Sequence, residues 1–339
     1  MAAALVALRF DDGVLLALDQ TELPWREHEL ELRTAAEVAE AIRRLAIRGA
    51  PLIGVAAAYG IALELARDPS ADALEGACEL LASTRPTAVN LERAIDCVRA
   101  TVVAAPAAQA AETALSEARR IQLEEEAASE QIAAHGAELL AEAGVVLTHC
   151  NTGALAAPGR GTALAVIAEL AVRGRLKQAI ATETRPLLQG ARLTAYELSS
   201  LGIPYELVVD AAAPSLIAAG AVDAVIVGCD RVAANGDVAN KVGTYALALA
   251  ASAAGIPFVV AGPTSTIDLR CTSGEQIVIE ERDPDEVRLL GETRTTGPDT
   301  PCRNPAFDVT PAALIHALVT ERGVARPVTQ ATIRALTTE

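Results

Sequence analysis

The feature that most constrains this chain is a change of periodicity at Gly144. Up to that point a long charged run, from about Glu112 to Ala143, reads as helix. Beyond it, short apolar segments alternate with helical ones. Val145–His149, Gln178–Thr182, Tyr205–Val209, Ala224–Gly228, Pro257–Ala261 and Ile277–Ile279 read as strands. Helices are expected over Thr162–Arg173, Pro186–Leu201 and Val242–Ala254. Apolar strands separated by helices pair in parallel and are covered on both faces, so this half is expected to be a doubly wound parallel sheet.

The first part of the chain has a different grammar. Residues 5–18 alternate loosely around Asp11-Asp12-Gly13, a hairpin turn signal, and Thr34-x-x-Glu37 is a capping box that predicts a helix to about Ala46. Pro51 and Pro86 each mark a further helix start, and the Ala/Val-rich stretch Ala100–Ala111, holding Pro106, reads as a helix-to-helix connection. With 339 residues two domains are the default. We place them at 1–125, a helical domain with a small β-sheet, and 126–339, the α/β domain.

Charge and composition narrow the function. The formal net charge of −16 argues against general nucleic-acid binding and against attraction to anionic lipid, while leaving room for a local basic pocket. Aromatic residues make up only 2%, so Ala, Val, Leu and Ile must build the core. The start of the chain lacks a basic n-region. The uncharged stretch between Lys241 and Asp268 is broken by Gly255-Ile256-Pro257 and reads as helix, turn and strand rather than a membrane span. A soluble, cytoplasmic protein with reduced thiols is expected, since the six cysteines form no Cys-x-x-Cys pair and no zinc spacing with the four histidines.

Polar residues cluster just past the carboxyl ends of the expected strands: Cys150-Asn151, Glu183-Thr184-Arg185, Asp210 and Asp230-Arg231. Ligands of open α/β sheets bind in that crevice. Arg48, Arg85 and Arg185 each sit just before a proline able to open a helix, an arrangement that can bind an anion or simply cap a surface helix. Lys241, at an expected helix start, is unfavourable for the dipole and calls for a negative group nearby. Neither a Walker loop nor Gly-x-Gly-x-x-Gly is present, so no nucleotide cofactor is indicated. Cys150 and Asp230 follow strands expected to be central. A thiol and a carboxyl in a partly dry crevice suit proton transfer, although each also has a structural reading as core thiol or turn carboxylate. His149 and Cys150 are neighbours on a strand and point to opposite faces, which disfavours a Cys–His dyad.

At these same residues the chain resembles the methylthioribose-1-phosphate isomerase family. That family is related to ribose-1,5-bisphosphate isomerases and to regulatory subunits of the translation-initiation exchange factor. The matching blocks are Leu18-Asp-Gln-Thr21, Arg48-Gly-Ala-Pro-Leu-Ile-Gly-Val-Ala-Ala-Ala-Tyr-Gly60, Arg85-Pro-Thr-Ala-Val-Asn-Leu91 and Thr148-His-Cys-Asn-Thr-Gly-Ala-Leu155. They continue with Glu183-Thr-Arg-Pro-Leu-Leu-Gln-Gly-Ala-Arg-Leu-Thr-Ala195, Asp230-Arg-Val-Ala-Ala-Asn-Gly-Asp-Val-Ala-Asn-Lys-Val-Gly-Thr244 and Asn304-Pro-Ala-Phe-Asp-Val-Thr-Pro311.

The resemblance implies a Rossmann-like C-terminal domain, a homodimer and a metal-independent aldose–ketose isomerase of methionine salvage, with no cofactor. It makes Asp230 the proton donor and Cys150 its catalytic partner, and assigns substrate contacts to Arg48, Gly49, Ala50, Arg85, Gln189, Asn240 and Lys241. A 5-deoxyribose 1-phosphate or ribose 1,5-bisphosphate isomerase, or a non-catalytic sensing subunit, are the alternatives. Cys229 departs from the Ala usual in the family, and Trp25 and the loop Gly291–Arg303 are also less typical; either of the last two would alter selectivity if it bordered the substrate's 5-position.

Overall fold

Residues 5–85 and 88–338 are described by a computed structural model, and its first turn is the one the sequence announces. Strands β1 (Leu8–Asp11) and β2 (Val14–Leu18) pair antiparallel across Asp12 and Gly13, both in the left-handed region a tight hairpin requires. With β3 (Glu29–Leu32) they form a small antiparallel sheet. Four helices follow: α1 (Ala35–Arg43), α2 (Ala50–Arg67), α3 (Ala71–Ala82) and α4 (Val89–Ala104). Thr34 caps α1 through the Glu37 amide, while the Glu37 carboxylate reaches the Arg33 amide rather than that of Thr34, so half of the expected box forms. The helix start expected at Pro86 lies outside the described residues.

Helix α2 is apolar all round because it is the centre of this half. It is long and apolar enough to cross a membrane, yet most of it lies buried among α1, α3, α4 and α5 (Ala110–Leu139). The first turns of α5, through Ala110, Ala114 and Ala118, close the core around α2. Its last turns, through Ile132 and Ala137, enter the layer beside the large sheet.

That sheet is built from β4 (Val145–Thr148), β5 (Gln178–Thr182), β6 (Tyr205–Val208) and β7 (Ala224–Val227), with further strands defined below. Helices α6 (Ala163–Val172), α7 (Ala195–Ser200) and α8 (Ala213–Ala218) lie between them in sequence. Next come β8 (Arg231–Ala233), β9 (Val238–Lys241), α9 (Thr244–Ala254), β10 (Phe258–Ala261) and β11 (Ile267–Asp268). The turn α10 (Asp285–Arg288) leads to a small hairpin, β12 (Leu289–Leu290) and β13 (Thr293–Arg294). The chain closes with β14 (Phe307–Thr310), β15 (Ala317–Thr320), β16 (Gly323–Ala325) and α11 (Gln330–Thr337).

The large sheet has the order β16-β15-β10-β7-β4-β5-β6, parallel except for β16. The chain starts at β4 and proceeds outward through β5 and β6, then returns to the other side through β7 and β10. The order therefore reverses between β4 and β7, which makes the carboxyl ends of those two strands the switch point. The expected α/β architecture is present, with a small antiparallel sheet and helices ahead of it.

Three expectations need correction. Ile277–Ile279 is not a strand; a short turn at Gly274–Gln276 precedes it, Val278 is exposed, and Ile277 packs in a satellite cluster with Ala233, Ala239 and Cys271. The sheet edge is instead the β15–β16 hairpin. The helix expected from Pro186 begins only at Gly190, because Thr184 and Leu188 adopt left-handed backbone. Lys241 does not stand at a helix start: β8 and β9 form a hairpin about Asn235-Gly236, which ends at Lys241 and joins β11 and β14 in a second sheet.

Candidate active site

A cleft of about 760 Å³ opens at the switch point, between the start of α2 and the ends of β4, β7 and β9. Arg48, Gly49, Ala50, Arg85, Cys150, Gln189, Asp230, Asn240 and Lys241 all line it. Residues drawn from five separate sequence blocks thus meet in one place.

Gly49 is required where it stands. Its φ is 99°, and a Cβ there would lie 2.3 Å from the Ala156 carbonyl oxygen. This close approach brings the N-terminus of α2, with Pro51 in its first turn, against the loop after β4. Pro51 has no N–H and the Leu52 amide donates to the Ala156 carbonyl, so it is the positive end of the helix, with Gly49 and Ala50 lining the cleft beside Arg48, that suits an anion.

Arg48 donates to the Asn151 side-chain oxygen at 2.6 Å and to its backbone oxygen at 3.0 Å. The Asn151 amide donates in turn to Glu197 at 2.7 Å, and the Glu197 carboxylate also accepts from the Ala154 and Leu155 amides. Burial pushes Glu197 up to about 7 against the pull of these donors. A Cβ on Gly153 would lie 2.2 Å from that carboxylate, so glycine is required there too. The sequence reading missed Glu197; the signal available was a carboxylate one turn after Leu193 on an otherwise apolar helical stripe.

Cys150 is buried with φ 65°, an uncommon conformation for a non-glycine residue. Its amide donates to the Thr184 hydroxyl at 2.9 Å, and its carbonyl accepts from the Thr194 hydroxyl at 2.6 Å. These bonds hold a backbone that costs on the order of 1–3 kcal/mol, and they turn Cys150 into the cleft. His149 faces the other way. Its Nε2–H donates to the Val242 carbonyl, leaving Nδ1 to accept from the Thr182 hydroxyl, so neither ring nitrogen is free for Cys150.

Asp230 follows β7. Burial holds its carboxyl above the usual carboxylate range, opposed by Lys241, Arg85 and Arg48 and reinforced by Glu280. Lys241 is shifted the opposite way, downward, chiefly by burial. It ends β9 rather than opening a helix. Its Nζ donates to the Ala306 carbonyl at 3.0 Å and lies 4.9 Å from the Phe307 ring centre. Because Lys241 sits on a strand, the helix-dipole argument for a negative group beside it does not apply. Asn240 donates to Thr244, and the Gln189 side-chain oxygen is buried without a partner, an acceptor left for a ligand.

Not every expected polar residue reaches the cleft. Arg185 is spent on the carbonyls of Pro186, Glu286, Val287 and Leu289, and Asp210 ties down the amides of Thr184 and Arg185. Arg185-Pro186 is therefore not an anion site. Trp25 is 90% exposed, and neither it nor the loop Gly291–Arg303 lines the cleft. Cys229 is half-buried and also lines the cleft, its thiol against the Thr266 hydroxyl and pushed up to about 12 by burial. Arg282 was not singled out from sequence, yet it lines the cleft, paired with Glu280 and Glu286.

The family model described as the initiation factor 2 subunit family matches residues 46–327. Methylthioribose-1-phosphate isomerase of Syntrophotalea carbinolica is 51% identical over 329 residues, covering 94% of this chain and 95% of its own. A 5-deoxyribose 1-phosphate isomerase of Moorella thermoacetica is 49% identical over 336 residues, covering 96% of each. Among solved structures, 5-methylthioribose 1-phosphate isomerase from Pyrococcus horikoshii OT3 superposes with a TM-score of 0.91 at 40% identity, covering 99% of this chain and 96% of that one.

Proposed function

Because the chain belongs to the initiation factor 2 subunit family, we propose that it isomerises a 5-substituted ribose 1-phosphate to the ribulose 1-phosphate, with S-methyl-5-thioribose 1-phosphate as the methionine-salvage substrate. It is an aldose–ketose isomerase. The observation that carries this reading is the combination in one cleft of a carboxyl held toward its protonated form, Asp230, a thiol, Cys150, and two cations, Arg48 and Lys241, whose hydrogen-bond partners are uncharged.

A phosphate on the anomeric oxygen blocks the ordinary opening of an aldose to its aldehyde, so the ring oxygen must be protonated. Asp230 delivers that proton and the C1–ring-oxygen bond breaks. Hydrogen then moves from C2 to C1, either as a proton through Cys150 or as a hydride with Cys150 beside the developing charge, and the C2 hydroxyl gives up its proton as C2 becomes the ketone, which restores the Asp230 carboxyl. Arg48, Lys241 and the start of α2 hold the phosphate, with Gly49 and Ala50 at the helix entry. Arg85, Gln189 and Asn240 offer polar groups to the sugar. Binding energy from the non-reacting phosphate thus orients the reacting carbons.

The cleft gathers cations rather than carboxylate and imidazole ligands, which supports metal-independent catalysis. The domain division at residues 125 and 126 falls inside α5, between the last contributions of that helix to the α2 core and the first to the sheet layer. A cytoplasmic homodimer completes the proposal; exposed Tyr245 and Leu249 on α9 supply apolar surface for a second copy.

The test is turnover of methylthioribose 1-phosphate, 5-deoxyribose 1-phosphate and ribose 1,5-bisphosphate in parallel, with Cys150→Ala and Asp230→Asn. Turnover that collapses in both variants supports the assignment. Binding without turnover of any substrate turns the reading to a sensing subunit. Deuterium from solvent at C1 of the product would rule out a direct hydride shift. The 5-deoxy substrate is the second reading, favoured by the apolar side chains Leu45, Ala156, Ala157 and Leu187 in the lining. Such walls separate small apolar groups by only about 1–3 kcal/mol.

A further inference from the structure

Four cations line or border the cleft, and they are not equivalent. Arg48 and Lys241 bond to neutral oxygens of Asn151 and Ala306, so their charge is uncompensated by direct contact. Arg85 and Arg282, in contrast, share one carboxylate: Glu280 accepts from Arg85 at 3.0 Å through one oxygen and from Arg282 at 2.9 Å through the other. Arg282 also forks onto Glu286, at 2.6 Å in its shortest contact. All three of Arg85, Glu280 and Arg282 are at most 23% exposed in their side chains, so solvent screens the pairs only partly. Burial tends to raise Glu280, yet the two arginines outweigh it and leave the carboxyl below its ordinary value.

The charge balance of the site follows. Arg48 and Lys241, whose hydrogen-bond partners are neutral, stand ready for one phosphate, while Arg85 and Arg282 stand against Glu280 and Glu286. A second phosphate entering the cleft finds Arg85 and Arg282, which line it, already engaged by the Glu280 carboxylate. Arg85 still offers sugar hydroxyls its Nε, a buried donor without a partner.

We infer that Glu280 is a specificity-determining residue: by bridging Arg85 and Arg282 it withholds them from a second anion and restricts the cleft to sugars carrying one phosphate. This inference rests on the sugar-phosphate reading of the cleft. It is tested by calorimetric binding of ribose 1,5-bisphosphate and of methylthioribose 1-phosphate to the full-length protein and to Glu280→Gln. The quantity read is the ratio of the two dissociation constants, bisphosphate over monoester. Removing one negative charge, which frees Arg85 and leaves Arg282 on Glu286 alone, should lower that ratio at least about tenfold. Adding Arg282→Ala to Glu280→Gln should return it toward the wild-type value. Glu280→Ala is read the same way if the glutamine variant unfolds. An unchanged ratio, or a gain that survives loss of Arg282, overturns the inference while leaving the isomerase reading intact. Failure of methylthioribose 1-phosphate to bind the wild-type protein overturns both.

Discussion

The Arg48 guanidinium is gripped by a single residue: both of its terminal nitrogens donate to Asn151, one to the side-chain oxygen and one to the backbone. The phosphate-facing cation from the N-terminal half is thereby fixed to the loop that carries Cys150. Asn151→Ala should release Arg48 and leave part of the buried Glu197 carboxylate unpaired. The expected outcome is a KM at least several-fold higher, a lower kcat, and a loss of roughly 1–3 kcal/mol of stability in urea unfolding. A change confined to stability, with both kinetic constants intact, would remove Asn151 from the positioning of the site.

Asp230→Asn removes the proposed proton donor while preserving shape. A fall in kcat of about 10²–10⁴ is expected. The pH profile carries the sign. A donor must be protonated, so wild-type activity should decline as pH rises through the elevated Asp230 value, and the residual activity of the variant should lack that alkaline limb. Rate against pH for both proteins checks this.

Glu197 makes stability depend on pH. Its carboxyl lies at about 7 in the folded chain against an ordinary 4.5, so between those values the folded state keeps a proton that the unfolded state has released. Its contribution is complete below about 4.5, declines as pH rises toward 7, and is flat above. The decline should amount to roughly 2–3 kcal/mol. Unfolding free energies at pH 5 and 8 measure it, and Glu197→Gln should show a smaller difference between the two.

Gly49→Ala places a methyl against the Ala156 carbonyl and forces an L-residue into φ 99°. The start of α2 must then retreat from the loop after β4. A lower melting temperature and a loss of kcat/KM of about a hundredfold or more are expected. The same substitution at Gly174, where φ is positive but nothing lies within 4 Å, should affect melting alone.

The meeting of Cys150 and Asp230, the proposed catalytic pair, was legible because strand-end residues of a doubly wound sheet report their own position: both could be placed in one crevice from apolar runs alone, and both line the cleft. Arg48 was legible through Pro51, which does open a helix. The same pattern misled at Arg185, because the left-handed residues Thr184 and Leu188 that delay the helix have no signature in their residue types. Lys241 was placed at a helix start rather than on a strand, since pairing of β9 with β14 is a long-range event that local periodicity does not encode. Gln189, assigned by resemblance, reads as an ordinary helical position until its unpartnered oxygen is seen in the cleft. Glu280 and Arg282 were invisible for a related reason. Charged residues two apart in an irregular segment look like solvated surface, and only the fold brings Arg85 to them.

Helix α5 runs without interruption from the packing around α2 to the layer against the parallel sheet. The wall bearing Arg48 and Arg85 and the wall bearing Cys150 and Asp230 are consequently mounted on one beam. Relative movement of the walls has to come from bending that beam or from sliding side chains past it, since it contains no joint at which they could swing freely. Substrate fit is then set partly at a distance: a substitution midway along α5, far from any reacting atom, alters the gauge between phosphate grip and proton donor.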